Sequence, residues 1–173
     1  MDYEVRRVTS NEWWEHRRLR LESLKESPAA FSTRYDEALA RPDEYWRDTT
    51  ARAADGDAVG SFVAVVAGAF VGMATALLDT EITDTRCYQL VGVYVVPDYR
   101  GRPLGLSDAL VAEVVRWARQ EAGARRVRLY VTDTNDRAAA FYRRLGFAET
   151  GASLPYPNDP AVREVEMDFE GRR

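Results

Sequence analysis

The sequence predicts an α/β fold, a mixed sheet covered by helices, folded as one domain over residues 1–173. Three observations predict it. No charged residue lies between Asp57 and Asp79, and Gly68 divides that stretch into two strand-sized apolar runs. Residues 103–122 place Leu106, Leu110, Val114 and Trp117 on one helical stripe. Strand-like and helix-like segments alternate through the second half of the chain, which gives the order β-α-α-α, then β-β-β-α-β-α-β.

Each element has a local reason. Residues 3–8 alternate as a first strand. Thr9 and Glu12 form a capping box for the first helix, with Val8 placed to staple onto Trp13. That helix carries Leu19, Leu21 and Leu24 and ends towards Ser27-Pro28. Helical segments follow at 36–40 and, after Pro42, at 43–53. The runs 62–66 and 70–78 form a buried hairpin turning at Gly68. A strand over 86–96 stops at Pro97. The helix 103–122 ends at Gly123, and 127–131 is a strand. Asn135 caps a helix over 135–145 that stops at Gly146. Val165, Met167 and Phe169 alternate in a last strand, 163–169, and residues 154–160 read as a loop.

Composition excludes several classes. Hydrophobic residues are 46% and charged residues 30%, a globular balance. The net charge of −4 argues against a nucleic-acid partner, because phosphate neutralisation needs a basic surface. The apolar hairpin is nearly long enough for a membrane span. Its flanks are acidic (Asp55, Asp57, Asp79, Glu81) and glycines interrupt it, so no membrane partner is expected. The N-terminal residues have acid before base and no apolar core, unlike a signal peptide. Cys87 is the single cysteine, which rules out an intramolecular disulfide and fits a cytoplasmic location; its expected role is a small apolar strand residue. No metal site is expected.

The segment that carries chemistry is the strand, loop and helix from Gly92 to Leu106. An apolar strand runs into Arg100-Gly101-Arg102-Pro103-Leu104-Gly105, and a long helix starts there. A helix N-terminus exposes unpaired N–H groups, and glycines let backbone approach a ligand closely, so the loop suits a phosphate or pyrophosphate. The alternative is a plain strand-to-helix turn with a proline-started helix. Neither G-x-x-x-x-G-K-S/T nor G-x-G-x-x-G is present, so a kinase or dinucleotide reading has no anchor.

Residues 100–105 resemble the Q/R-x-x-G-x-G/A signature of the GCN5-related N-acetyltransferase (GNAT) superfamily. Residues 135–147, from Asn135 through Phe141-Tyr142 to Leu145-Gly146-Phe147, are similar to that family's N-x-x-A-x-x-F-Y-x-x-L-G-F helix. The resemblance implies a mixed, mostly antiparallel sheet of six to seven strands, splayed between strands four and five and covered by four to five helices. It implies acetyl-CoA as co-substrate and transfer to a primary amine by direct attack through a tetrahedral intermediate. Backbone groups of Val93 and Val95 would pair with the pantetheine arm. Amides of Gly101, Arg102, Leu104, Gly105 and Leu106 would hold the pyrophosphate, with Arg100 and Arg102 adding charge. Asn135 would contact the pantetheine or the intermediate, Val95 the oxyanion, and Tyr142 would give a proton to the leaving thiolate. Because the family often dimerises, a homodimer is implied too.

Two departures stand out. Pro103 occupies a position where the family usually has glycine, and proline has no N–H. Losing one charge-assisted bond of about 1.5–3 kcal/mol would weaken cofactor binding roughly ten- to a hundredfold. Many relatives also carry a glutamate on the fourth strand, and residues 86–91 offer none. The base is left open among Glu81, Asp84, Asp133 and a water chain through Tyr88, Gln89 or Tyr130. His16, the only histidine, lies beside Glu15 and Arg17 and is expected to face solvent.

By family analogy the acceptor enters between the early helices and the late loop, where Phe31, Tyr35, Trp46 and Tyr156 are the candidates, alongside Glu22 and Asp36. The 151–160 segment would partly close the groove a peptide needs, which favours a small-molecule amine. The competing readings are a protein lysine or N-terminal acetyltransferase, and a non-catalytic acyl-CoA-binding module.

Overall fold

The charge-free stretch forms the centre of the sheet because both of its faces are buried. In the computed structural model, residues 2–101 and 104–171 are described. Strands β1 (Glu4–Arg7), β2 (Val59–Val66), β3 (Ala69–Leu78), β4 (Cys87–Val95), β5 (Arg126–Thr132), β6 (Phe147–Tyr156) and β7 (Asp159–Phe169) make one sheet in the order β1-β2-β3-β4-β5-β7-β6. Among the described residues only β4 and β5 pair in parallel. Helices α1 (Trp13–Glu26), α2 (Tyr35–Leu39) and α3 (Asp43–Asp55) precede β2. Helix α4 (Leu106–Gln120) connects β4 to β5, and α5 (Asp136–Arg144) connects β5 to β6. A parallel pair needs such a crossover. Among the described residues no helix is long and apolar enough to cross a membrane.

The β2–β3 hairpin turns at Ala67 (φ 49°) and Gly68 (φ 82°), the left-handed pair that suits the twist of a tight hairpin. Phe62, Ala64, Ala74 and Ala76 face α4, while Val63, Phe70 and Met73 pack with Leu19 of α1 and Ala53 of α3. Trp117 of α4 is the hub of the first layer. Its ring meets Tyr88 edge-on at 5.8 Å and Phe62 at 5.9 Å, with the Arg7 guanidinium 4.8 Å above it. Arg7 also donates to the carbonyls of Ala53 (2.8 Å) and Val59 (2.9 Å) and to that of Gly56, so one side chain ties β1 to the end of α3 and the start of β2.

The sequence-based expectations need three corrections. Residues 147–156 form a seventh strand and 159–169 its partner, so the expected 154–160 loop is the tip of a β-hairpin. β6 is an edge strand with a mostly exposed, polar face, and its ladder shifts register between Glu149 and Ser153, around Gly151 (φ 88°). Such a strand shows no apolar alternation. Helix α4 starts at Leu106, with Gly105 (φ 64°) as its cap, rather than at Pro103. His16 is half-buried rather than fully exposed to solvent. It packs between α1 and α3 with Nδ1 3.2 Å from Thr50 Oγ1, and burial holds its pKa down to about 4. Cys87 is fully buried, as the sequence implies.

Two stability predictions follow from this packing. A Cβ at Gly60 would lie 2.7 Å from the Trp117 ring. Gly60→Ala should therefore cost about 1–3 kcal/mol in a denaturant titration, and an unchanged midpoint would show that the ring can yield. The second concerns His16. Its folded pKa lies below its unfolded value, so the unfolded chain binds the extra proton and stability falls as pH drops from about 6.5 towards 4. The fall is at most about 1.4 kcal/mol per pH unit. His16→Gln should flatten that part of the stability–pH curve, and a curve parallel to that of the parent would contradict the buried neutral imidazole.

Candidate active site

The site begins where two parallel strands stop pairing. β4 and β5 are in register only over Cys87–Arg126, Tyr88–Val127 and Gln89–Arg128. Beyond Gln89 they part, and a groove of about 520 Å³ opens at their C-terminal ends. Crevices outside the carboxyl ends of parallel strands are the usual ligand sites of α/β sheets.

β4 is shaped for this groove by Gly92, whose φ of 64° places a bulge where the β3–β4 register shifts. The extra residue inverts the side-chain alternation. Ahead of it Tyr88 and Leu90 join the α4 core; after it Val95 does, while Tyr94 packs with α1. The backbone follows suit. Val96 N donates to Val71 O at 2.9 Å, so by strand alternation the amides of Val93 and Val95 point away from β3 and into the groove. The Val95 carbonyl accepts from Arg100 Nε at 2.6 Å. The amide of Val95 is left facing the cleft.

The loop after β4 leads to the α4 N-terminus. Gly101 (φ 109°) and Gly105 (φ 64°) adopt backbone conformations that favour glycine, and both line the groove. Gly105 N donates to Gly101 O at 3.2 Å, so this amide closes the loop on itself. The first-turn amides of a helix have no helical carbonyl to donate to, and in α4 those of Leu106 and Ser107 occupy such positions. The Leu106 side chain is buried in the core, and Leu104 packs against it. Arg100 is pinned by Glu26 of α1 at 2.8 Å and lies over the Tyr94 ring, so its charge is already shared with an acid. Arg102 and Pro103, with the expected loss of a donor, lie outside the described residues.

Helix α5 forms the opposite wall. Asn135 Oδ1 caps it by accepting from Ala138 N at 3.0 Å, which leaves the side-chain amide as the group available to the groove. Tyr142 lies one turn from the end of α5, between Phe141 (5.0 Å) and Phe147 (5.8 Å). It lines the groove, and among the described residues its hydroxyl has no hydrogen-bond partner. Desolvation pushes its pKa up to about 12, so the phenol holds its proton.

On the α1 side of the sheet the groove meets Phe31, Gln89, Tyr130, Tyr156 and Glu164. Tyr156 donates to Phe31 O at 3.1 Å and Asn158 to Ser32 O at 3.2 Å, so the β6–β7 tip clasps the segment after α1. Trp46 and Tyr35 belong instead to a packed cluster with Leu24 and Ala38 and do not line the groove. Glu22 is bound by Arg18 (3.0 Å) and the Tyr94 hydroxyl (3.2 Å). Of the bases left open, Tyr88 is fully buried, with its hydroxyl donating to Asp57 O, and Asp133 accepts from Arg163 N at 3.3 Å outside the groove lining.

Among the groove residues that sequence reasoning missed, two bring unpartnered, partly buried charge to the α1 side of the sheet. Glu164 of β7 pairs in register with Thr132 of β5. Among the described residues its carboxylate has no partner, and desolvation alone raises its pKa. Arg20 of α1 is the second. Both come from runs of like residues, Arg17-Arg18-Leu19-Arg20 and Glu164-Val165-Glu166, in which no local signal marks the one that reaches the groove.

Comparison with known proteins agrees with this architecture. The model of the acetyltransferase (GNAT) family matches residues 13–147. A mycothiol acetyltransferase of Salinispora tropica is 34% identical over 118 residues, covering 68% of this chain and 35% of the relative. The chain therefore spans about a third of the length of that relative. A GNAT acetyltransferase structure from Streptococcus pneumoniae superposes with a TM-score of 0.79 at 20% identity, over 96% of this chain and 98% of that one. The structure of yncA from Salmonella typhimurium, a putative acetyltransferase with its cofactor acetyl-CoA, gives 0.77 at 14% identity, over 100% of this chain and 96% of that one. At these identities the two structures speak for the fold. With the family model spanning both the groove loop and the Asn135–Tyr142 helix, the chain belongs to the acetyltransferase (GNAT) family.

Proposed function

We propose that the protein transfers an acetyl group from acetyl-CoA to a primary amine of a small molecule. The observation that carries this reading is the groove-facing edge of β4, whose Val93 and Val95 amides lack a strand partner and adjoin the glycine loop at the α4 N-terminus. That edge fits a pantetheine arm lying as an added strand, and the α4 terminus fits its pyrophosphate. Gly101, Leu104, Gly105, Leu106, Arg100 and the Asn135 amide are the groups we assign to holding it. The bound thioester would supply an activated acetyl carbonyl.

The residues of the chain divide the remaining work. An alkylammonium with a pKa near 10.4 is not a nucleophile at pH 7, so a base must take its proton. Glu164 is the carboxylate assigned to this, because it faces the groove unpartnered and desolvation raises its basicity. The Val95 N–H is aimed to stabilise a developing oxyanion. The Tyr142 hydroxyl, kept protonated by its surroundings, holds the proton needed at the departing sulfur. The Tyr156 and Asn158 clasp across the groove mouth favours a small acceptor over a peptide.

Tyr142→Phe should lower kcat tenfold or more while calorimetric affinity for acetyl-CoA stays within a few-fold; an unchanged kcat would remove Tyr142 from the mechanism. Glu164→Gln should lower kcat/KM about a hundredfold near neutrality. The defect should shrink as pH rises towards the amine's own pKa, where free amine no longer needs a base. A defect of equal size at every pH would reduce Glu164 to a structural role.

A further inference from the structure

Arg20 is a half-buried cation without an anion among the described residues. It rises from α1 into the groove, and its guanidinium lies 4.7 Å over the Phe31 ring. Its Nη1 is shielded from solvent and has no hydrogen-bond partner. A Cβ at Gly92 would sit 3.9 Å from that atom, so the bulge of β4, which carries no side chain, lies directly beside the guanidinium. Burial and the nearby Arg41 lower its pKa to about 10, and it remains charged near neutrality.

The acids of α1 do not neutralise it, because each of those near the groove is taken. Glu15 and Glu22 bind Arg18, Glu22 also accepts from Tyr94, and Glu26 binds Arg100. On the sheet below, Glu166 is shared by Arg126, Arg128 and Tyr130, and Asp168 is held by Arg126. Three charged groups of the groove have no partner among the described residues, and of these Arg137 at the start of α5 is exposed to water; the two that are partly buried, one on each side of the groove, are the Arg20 guanidinium on α1 and the Glu164 carboxylate on β7. A desolvated guanidinium presents a planar fork that matches a carboxylate. A desolvated carboxylate favours an ammonium. A ligand that satisfies both carries both charges.

We propose that the acceptor is a zwitterionic amine, a small amino acid whose carboxylate is held by Arg20 while its amino group faces Glu164. This names the substrate class of the transferase reading above and rests on it. The same fork would accept a phosphonate, so the anionic group is tested in both forms.

The test compares matched acceptors: α-, β- and γ-amino acids, their aminoalkylphosphonate counterparts, and the amines lacking the acidic group. Thiol release is followed with acetyl-CoA, and calorimetric binding of each acceptor is followed on the protein loaded with coenzyme A. At least one amino acid should exceed its neutral amine by tenfold or more in kcat/KM. Arg20→Gln should collapse that ratio at least tenfold, mainly through KM for the acid, and Arg20→Lys should recover part of it. A phosphonate preferred over the carboxylate would overturn the amino-acid assignment. Neutral amines used as well as amino acids, or an equal loss on both in Arg20→Gln, would overturn the zwitterion site itself. Calorimetric binding of amino acids that requires Arg20, without thiol release, would support the site and count against the transferase reading. No binding and no turnover of any acid, on protein that binds coenzyme A, would overturn the proposal while leaving the cofactor groove intact.

Discussion

The structure depends on a sheet that declines to close. β4 and β5 share three residue pairs and then diverge, so the groove-facing amides of β4 lose the partner that a continuous sheet would supply. Buried backbone donors must be satisfied, and without a strand the partners are a side chain, water or a ligand. The bulge at Gly92 turns this edge towards the groove and sends Tyr94 to the α1 layer and Val95 to the α4 layer. The Trp117 hub and Arg7 clamp hold the far side rigid. The opening is thus confined to one end of the sheet.

Charge is distributed by the same logic. Across β5 and β7, Arg126, Arg128, Glu166 and Asp168 form a paired network that extends to Asp79, and Thr150 and Tyr130 complete the contacts of Glu166. A half-buried network of this kind fixes the strands rather than performing chemistry, because each charge is already compensated. Glu164 lies on the same strand face one register step beyond Glu166 and lacks such compensation. Glu164 is therefore the acid of β7 that the network leaves to the groove.

Much of this was legible in the sequence. The hairpin, β4, α4 and the Asn135-capped α5 follow from apolar periodicity and from capping and breaking residues. The motif pair placed Val95, Gly101, Asn135 and Tyr142 on one groove. β6 was not legible, because an exposed edge strand with Gly151 and Pro155 carries no alternating pattern. Nor was the burial of His16, which depends on Thr50 of α3 reaching it across the helix interface. Trp46 and Tyr35 looked like groove aromatics, but α1, α2 and α3 use them to pack against one another. Arg20 and Glu164 are set apart from their neighbours only by which charges pair in three dimensions.

The central claim is that the splayed edge of β4 holds acetyl-CoA. Isothermal calorimetry of the protein with acetyl-CoA tests it most directly. One site of micromolar affinity, weakened when bulk is introduced at Gly101, is the predicted result. No heat at millimolar cofactor would contradict the claim, and with it the assignment of the groove.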